Sequence, residues 1–129
     1  MNKWEGLNKR KFPRVNYPCL VVLRNSSNNQ DVILAHTENI GSGGMCVILR
    51  QDIRIFSMVE IELDLLDLAN HIKCTGKVVW NVQRQEGAAA KPMFYDIGIE
   101  FEKIDPKDRE RLEQIIDRLA NSQKDVTFR

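Results

Sequence analysis

The sequence predicts a mainly β domain, about six short antiparallel strands closed by one C-terminal α-helix. Three observations carry this. Residues 58–65 and 93–102 alternate apolar with polar side chains, the period of a strand with one buried face. The other apolar runs are short and are separated by Asn, Gly and Pro clusters, with no helical periodicity between them. Only after Asp105-Pro106 do apolar residues recur at helical spacing. Strands without intervening helices close as a barrel or a sandwich.

The elements follow in order. Trp4 to Leu7 is a short turn or a loose segment. Asn8 to Pro18 is polar and basic, and Pro13 pushes Phe12 out of helical geometry, so this stretch reads as an extended arm. Strands are expected over Cys19–Leu23, Val32–Glu38 and Met45–Leu49, with turns at 25–29 and 39–44. In Met58–Leu65, Val59, Ile61, Leu63 and Leu65 face one way and Glu60, Glu62 and Asp64 the other. Ile72–Val82 is a strand with a bulge at Gly76. Residues 83–92 form a loop. In the last strand Tyr95, Ile97, Ile99 and Phe101 oppose Asp96, Gly98, Glu100 and Glu102. Asp105 caps the helix, Pro106 is its first residue, and Asp108 and Glu110 suit its dipole. Leu112, Ile115, Ile116 and Leu119 make its apolar stripe. The expected division is an arm over 1–17, a barrel with its helix over 18–120, and a tail over 121–129.

Composition bounds the function. At 129 residues, 43% hydrophobic and 29% charged, one soluble globular domain is expected. No apolar run approaches the ~20 residues that cross a bilayer, and the first residues lack the apolar core of a signal peptide. The expected location is the cytoplasm, without membrane insertion. Cys19, Cys46 and Cys74 are too few and too widely spaced for a disulfide framework or a zinc pattern, and read as buried, reduced thiols. His36 and His71 have no partners at metal-ligand spacing. No Ser-His-Asp set, Walker loop or post-strand GxGxxG is present, so neither enzyme activity nor a cofactor or metal is expected.

The net charge of +1 hides an asymmetry. Lys3, Lys9, Arg10, Lys11 and Arg14 stand against Glu5 alone, so the first fourteen residues carry +4 and the body −3. A basic arm on a slightly acidic body suits a local anion. Nucleic-acid-binding barrels need basic grooves with interleaved aromatics, and aromatics are 7% here. DNA is not expected as a partner.

Two segments point to a ligand. Arg10 and Arg14 stand four apart in the arm, and each guanidinium fork matches phosphate oxygens or the O6/N7 edge of guanine. In the turn, the Asn39 amide offers a donor and an acceptor, and Gly41, Gly43 and Gly44 permit close backbone approach and positive φ. Successive amides there also cradle an anion. The alternatives are a solvated tail and an ordinary hairpin turn. A guanine nucleotide with phosphates suits the pair, at about −8 kcal/mol for micromolar binding.

These residues resemble the PilZ family. Arg10-x-x-x-Arg14 is similar to its RxxxR motif, and Asn39-x-Gly41-x-x-Gly44 to its [D/N]xSxxG motif. Lys77-Val78-Val79-Trp80 and Ile97-Gly98-Ile99-Glu100-Phe101 are similar to its later strands. The resemblance covers about residues 8 to 120. It implies a six-stranded antiparallel split β-barrel that binds cyclic di-GMP and signals by conformational change to a downstream protein in motility, biofilm or exopolysaccharide control in bacteria. It implies that Arg10 and Arg14 contact guanine and phosphate, with Lys9 adding charge. It also implies that Asn39 meets a guanine edge, that Gly44 gives close approach, and that Trp80 offers a surface to the base; the alternative for Trp80 is strand packing. Gly41 stands where the family has serine, with Ser42 next in the chain. A lost neutral hydrogen bond costs about 1 kcal/mol, roughly fivefold in affinity. Monomer or weak homodimer is expected. The competing functions are a PilZ-like adaptor that no longer binds nucleotide and a small nucleic-acid-binding barrel.

Overall fold

Seven strands and one helix make up the computed structural model, which describes residues 14–25, 28–67, 69–84 and 94–127. The strands are β1 (Arg14–Val15), β2 (Leu20–Asn25), β3 (Asn28–Gly41), β4 (Gly44–Leu49), β5 (Met58–Asp64), β6 (Ile72–Arg84) and β7 (Phe94–Lys103), followed by helix α1 (Pro106–Thr127). The pairing runs β3-β2-β5-β6-β7-β4, and β4 returns to β3. Six antiparallel strands therefore close into a barrel, and the expectation of a mainly β barrel with one C-terminal helix holds. The short β1 adds to β3 beside Gly41.

Alternation builds the core. Val59, Ile61 and Leu63 of β5 are buried, as are Ile97, Ile99 and Phe101 of β7. Met45, Val47 and Leu49 of β4 and Val21 and Leu23 of β2 fill the same interior. Each such side chain removed from water contributes roughly 1.5–3 kcal/mol.

Strand β3 is long because it serves different partners along its length. Its residues Asn28 and 32–36 pair with β2, and its end pairs with β1 and β4. The register with β4 shifts between Thr37 and Asn39, which leaves Glu38 as the extra residue. The register between β6 and β7 shifts between Thr75 and Gly76, where the sequence placed a bulge at Gly76 but the extra residue is Glu102 of β7. It shifts again between Val78 and Trp80, where the extra residue is on β6. Gly76 is itself hemmed in, since a Cβ there would stand 2.6 Å from Ile99 Cγ2 and 2.8 Å from Ile61 Cδ1.

The helix begins as its sequence dictates. The Asp105 carboxylate accepts the Lys107 amide at 2.8 Å, and the Arg109 amide donates to the Asp105 carbonyl at 2.9 Å. Leu112 and Ile116 are buried in the barrel core, with Ile115 and Leu119 packed against it. Arg111 grips both oxygens of Asp67. The helix continues through Asn121 to Thr127, a stretch read from sequence as a tail. Strand β6 likewise runs on through Gln83 and Arg84, where the sequence placed a loop. The expected turn at 4–7 and the rest of that loop lie outside the described residues.

Candidate functional site

The root of the arm is fastened to the barrel. Val15 is 2% exposed and joins the core, opposite Ile40 of β3. The Tyr17 hydroxyl donates to the Leu65 carbonyl. Thr37, itself buried, accepts the Cys19 amide at 3.0 Å and donates its hydroxyl to the Tyr17 carbonyl. These contacts set the backbone of Arg14 directly across from Gly41. Thus the C-terminal arginine of the first motif enters the structure beside the second motif. Lys9 and Arg10 lie outside the described residues.

The second motif turns the chain from β3 into β4. The Phe101 amide donates to the Gly43 carbonyl at 2.9 Å, which ties the turn to β7. At Gly44 glycine is required by proximity, since a Cβ would stand 2.3 Å from the Ile99 carbonyl oxygen. Gly43 is the opposite case, with no heavy atom within 4 Å of a Cβ built there. Neither adopts a left-handed φ, so close approach rather than positive φ explains Gly44. Ser42 is buried, and its hydroxyl has no partner among the described residues. Its carbonyl accepts Arg109 Nη1 from the helix at 3.5 Å.

Register carries the site across the sheet. Asn39 pairs with Cys46, Cys46 with Gly98, and Gly98 with Trp80. Directly paired residues share a face, so these four form one row on the outside of the barrel, across β3, β4, β7 and β6. At about 4.8 Å per strand the row spans roughly 14 Å. Two bulges make it possible. With Glu38 as the extra residue, Thr37 and Ile40 both point inward while Asn39 faces out. With Val79 as the extra residue, Val78 stays in the core and Trp80 turns out. The indole of Trp80 then occupies the space above Gly98, where a Cβ would stand 2.2 Å from Nε1.

Charged groups border this row. The Cys46 thiol donates to Glu38 Oε1 at 3.5 Å. Arg84 binds Asp96 Oδ2 through Nε at 2.9 Å and approaches Glu38 at 3.8 Å. The other Asp96 oxygen is buried without a hydrogen-bond partner among the described residues. Burial pushes the thiols of Cys19 and Cys74 up to about 11, which makes them inert small hydrophobes, as the sequence implied. Among the described residues no cluster of His, Cys, Asp or Glu is arranged to hold a metal ion. No helix there is long and apolar enough to cross a membrane.

The structure therefore sets Gly41 across from the backbone of Arg14, and the cross-strand register places Asn39 and Trp80 on one face. Ser42 points into the protein instead. Sequence reasoning missed Gly98, Cys46, Glu38, Arg84 and Asp96. For Gly98 a signal existed, because a glycine on the polar face of an alternating strand marks a close approach.

Six antiparallel strands closed into a barrel, with a short strand paired beside a glycine turn, define a small β-barrel domain. The family model for the PilZ domain matches residues 8–118, and the chain belongs to that family. Comparison with curated protein sequences yields no match. Among solved structures the fold is similar to the inhibitor of motility MotI/DgrA of Bacillus subtilis (TM-score 0.69, 17% identity, 84% of this chain and 50% of that one). It is also similar to the MrkH–c-di-GMP complex of K. pneumonia (TM-score 0.71, 17% identity, 89% and 54%). The PilZ domain with c-di-GMP of YcgR from Escherichia coli is a third relative in fold (TM-score 0.66, 13% identity, 94% and 98%). The chain thus spans about half the length of MotI and MrkH, and nearly all of the YcgR domain.

Proposed function

We propose that this chain is a receptor for cyclic di-GMP, held by the arm and the outer row of the barrel. The observation that supports this most is the register of β1 on β3, with Arg14 across from Gly41. Four residues reach at most about 14 Å, so Arg10 stays within range of the same turn. On this reading Arg10 and Arg14 contact guanine and phosphate, and Lys9 adds charge. Asn39 meets a guanine edge. Gly41, Gly43 and Gly44 let the ligand approach the backbone, and Trp80 offers its ring to a base. The chain performs no turnover and needs no cofactor. It acts in the cytoplasm as a monomer or weak homodimer, contacts no DNA, and hands the signal to a downstream protein when the arm closes.

Calorimetric titration of cyclic di-GMP tests the proposal. Saturable binding is expected in the wild type. Arg14→Ala removes charge-assisted bonds of roughly 1.5–3 kcal/mol, a loss of about tenfold or more. Wild-type binding no tighter than that of Arg14→Ala would remove the assignment.

One observation favours a second reading, an adaptor without nucleotide binding. Gly41 lacks the family hydroxyl, and the Ser42 hydroxyl is buried rather than offered at the surface. Absence of ligand binding together with retained capture of a protein partner would select it.

A further inference from the structure

We infer that the outer edge of β3, from Val32 to His36, is a strand-addition site for an extended segment of a partner protein. The inference concerns the half of β3 away from the glycine turn and does not depend on nucleotide binding.

The pairing pattern leaves this edge open. Strand β3 pairs with β4 only from Thr37 to Ile40, against Val47 to Met45. Upstream of Thr37, β3 keeps β2 on one side, in register from Leu20↔His36 to Arg24↔Val32. Downstream of Val47, β4 keeps β7 on one side as far as Leu49↔Tyr95. Among the described residues neither stretch has a strand on its other side. The two edges diverge around a cleft of about 580 Å³, lined by Val32–Glu38 on one wall and by Ile48–Gln51 and Phe94 on the other.

The direction of the backbone groups follows from one hydrogen bond. The Thr37 amide donates to the Cys19 carbonyl at 3.0 Å, toward the β2 side. Along an antiparallel ladder successive residues alternate between the two edges. Ala35 and Ile33 therefore pair with β2, while Val32, Leu34 and His36 direct their N–H and C=O groups toward the cleft. Among protein partners an extended chain is the one that can pair with such a row in place of water, because a helix has already paired its own amides.

Two further features fit that occupant. Native edges are blunted by charge, proline or bulges. Val32-Ile33-Leu34-Ala35-His36 contains no charged residue, proline or glycine, and exposes Leu34 at 75% and Val32 at 47%. On the opposite lip the exposed Arg50 guanidinium sits over the Phe94 ring at 5.4 Å from its centroid. The cleft thus suits one strand with alternate apolar residues and a carboxylate for Arg50. A second copy of this chain is a poorer fit, since its own β4 stands across the same cleft and blocks edge-to-edge approach.

The test is selection of a displayed library of random nine-residue peptides on the full chain, followed by hydrogen exchange of the complex. Enriched peptides are expected to slow exchange at Leu34 and His36 and to carry an acidic residue whose removal matters only when Arg50 is present. Leu34→Pro deletes one outward donor and leaves the β2 ladder whole, so it should weaken these peptides at least tenfold while leaving cyclic di-GMP titration unchanged. Leu34→Lys, which keeps the backbone donor, separates blocking of the edge from loss of fold. N-methylation of alternate peptide amides should abolish binding. Three results overturn the inference: edge amides already protected in the free chain, which means that its own residues cover the edge; enriched peptides that bind Leu34→Pro equally; or N-methylated peptides that bind as well as the parent.

Discussion

Trp80 and Gly98 form an interlocked pair across β6 and β7. The indole fills the volume that a side chain at residue 98 needs, with Nε1 2.2 Å from the position of a Cβ there. The pair sits at the end of the row that begins with Asn39, so the orientation of the ring is set by a residue without a side chain.

Gly98→Ala should therefore act through Trp80. Forcing a methyl into an occupied site costs about 1–3 kcal/mol, and the ring must move off β7. The expected result is a lower melting temperature, a shifted tryptophan emission and weaker cyclic di-GMP binding. Trp80→Ala should make Gly98→Ala nearly neutral. Additive effects in that double-mutant cycle would show that the two residues do not act as a unit.

The two glycines of the turn should separate cleanly. Gly44→Ala places a Cβ 2.3 Å from a backbone carbonyl oxygen, and backbone yields poorly, so a clear loss of stability is expected. Gly43→Ala meets open space and should leave the stability within about 0.5 kcal/mol of wild type. If Gly43→Ala nevertheless weakens the ligand, that space is where the ligand approaches. Thermal melts paired with titrations read both outcomes.

Thr37 is the clasp that joins the arm to the barrel. Thr37→Val keeps the shape and removes the bonds to the Cys19 amide and the Tyr17 carbonyl. The Cys19 amide and the Tyr17 carbonyl keep their bond to each other at 2.8 Å, so the cost is that of the lost hydrogen bonds, about 0.5–1.5 kcal/mol each. Thermal unfolding should show that loss, and ligand binding should fall as well, because the backbone of Arg14 is held in place three residues upstream of Tyr17. Unchanged affinity in a folded Thr37→Val variant would mean that the ligand orders the arm without this clasp.

The legible parts of the molecule were those with a period. Val59, Ile61 and Leu63 announce an inward face, and Asp105-Pro106 with Leu112 and Ile116 announce a capped, one-sided helix. All of these are found so. The bulges at Glu38 and Val79 were not legible, because an extra residue in a strand leaves no periodic trace in an apolar run such as Val78-Val79-Trp80. Those bulges decide which residues share the outer row. The motif residues stand out in the sequence by their type and spacing, whereas Gly98, Arg84 and Asp96 came into view only through cross-strand register, which sequence does not carry. Ser42 shows the same limit, since its neighbours in the chain do not reveal that its hydroxyl is buried.

A pH-dependent contribution is expected from the ion pair on β5. His71 Nδ1 stands 2.7 Å from Glu62 Oε2, and Nε2 stands 3.4 Å from Asp64 Oδ2. The hydrogen bond to Glu62 raises the imidazole above its usual 6.5, and the same bond, opposed by some burial, lowers the Glu62 carboxyl below its usual 4.5. A raised histidine contributes stability that is complete below the unfolded value and disappears as pH rises through the folded one. A depressed carboxylate contributes stability present above the unfolded value and lost as pH falls through the folded one. The pair is thus strongest between the usual values of its members, 4.5 and 6.5, and weakens on either side. The melting-temperature difference between wild type and His71→Gln should be largest near pH 5.5 and shrink toward pH 8. Both groups are at the surface, so the difference should be small and should fall with added salt. A difference that grows with pH would mean that His71 is held neutral by its surroundings instead of charged by Glu62.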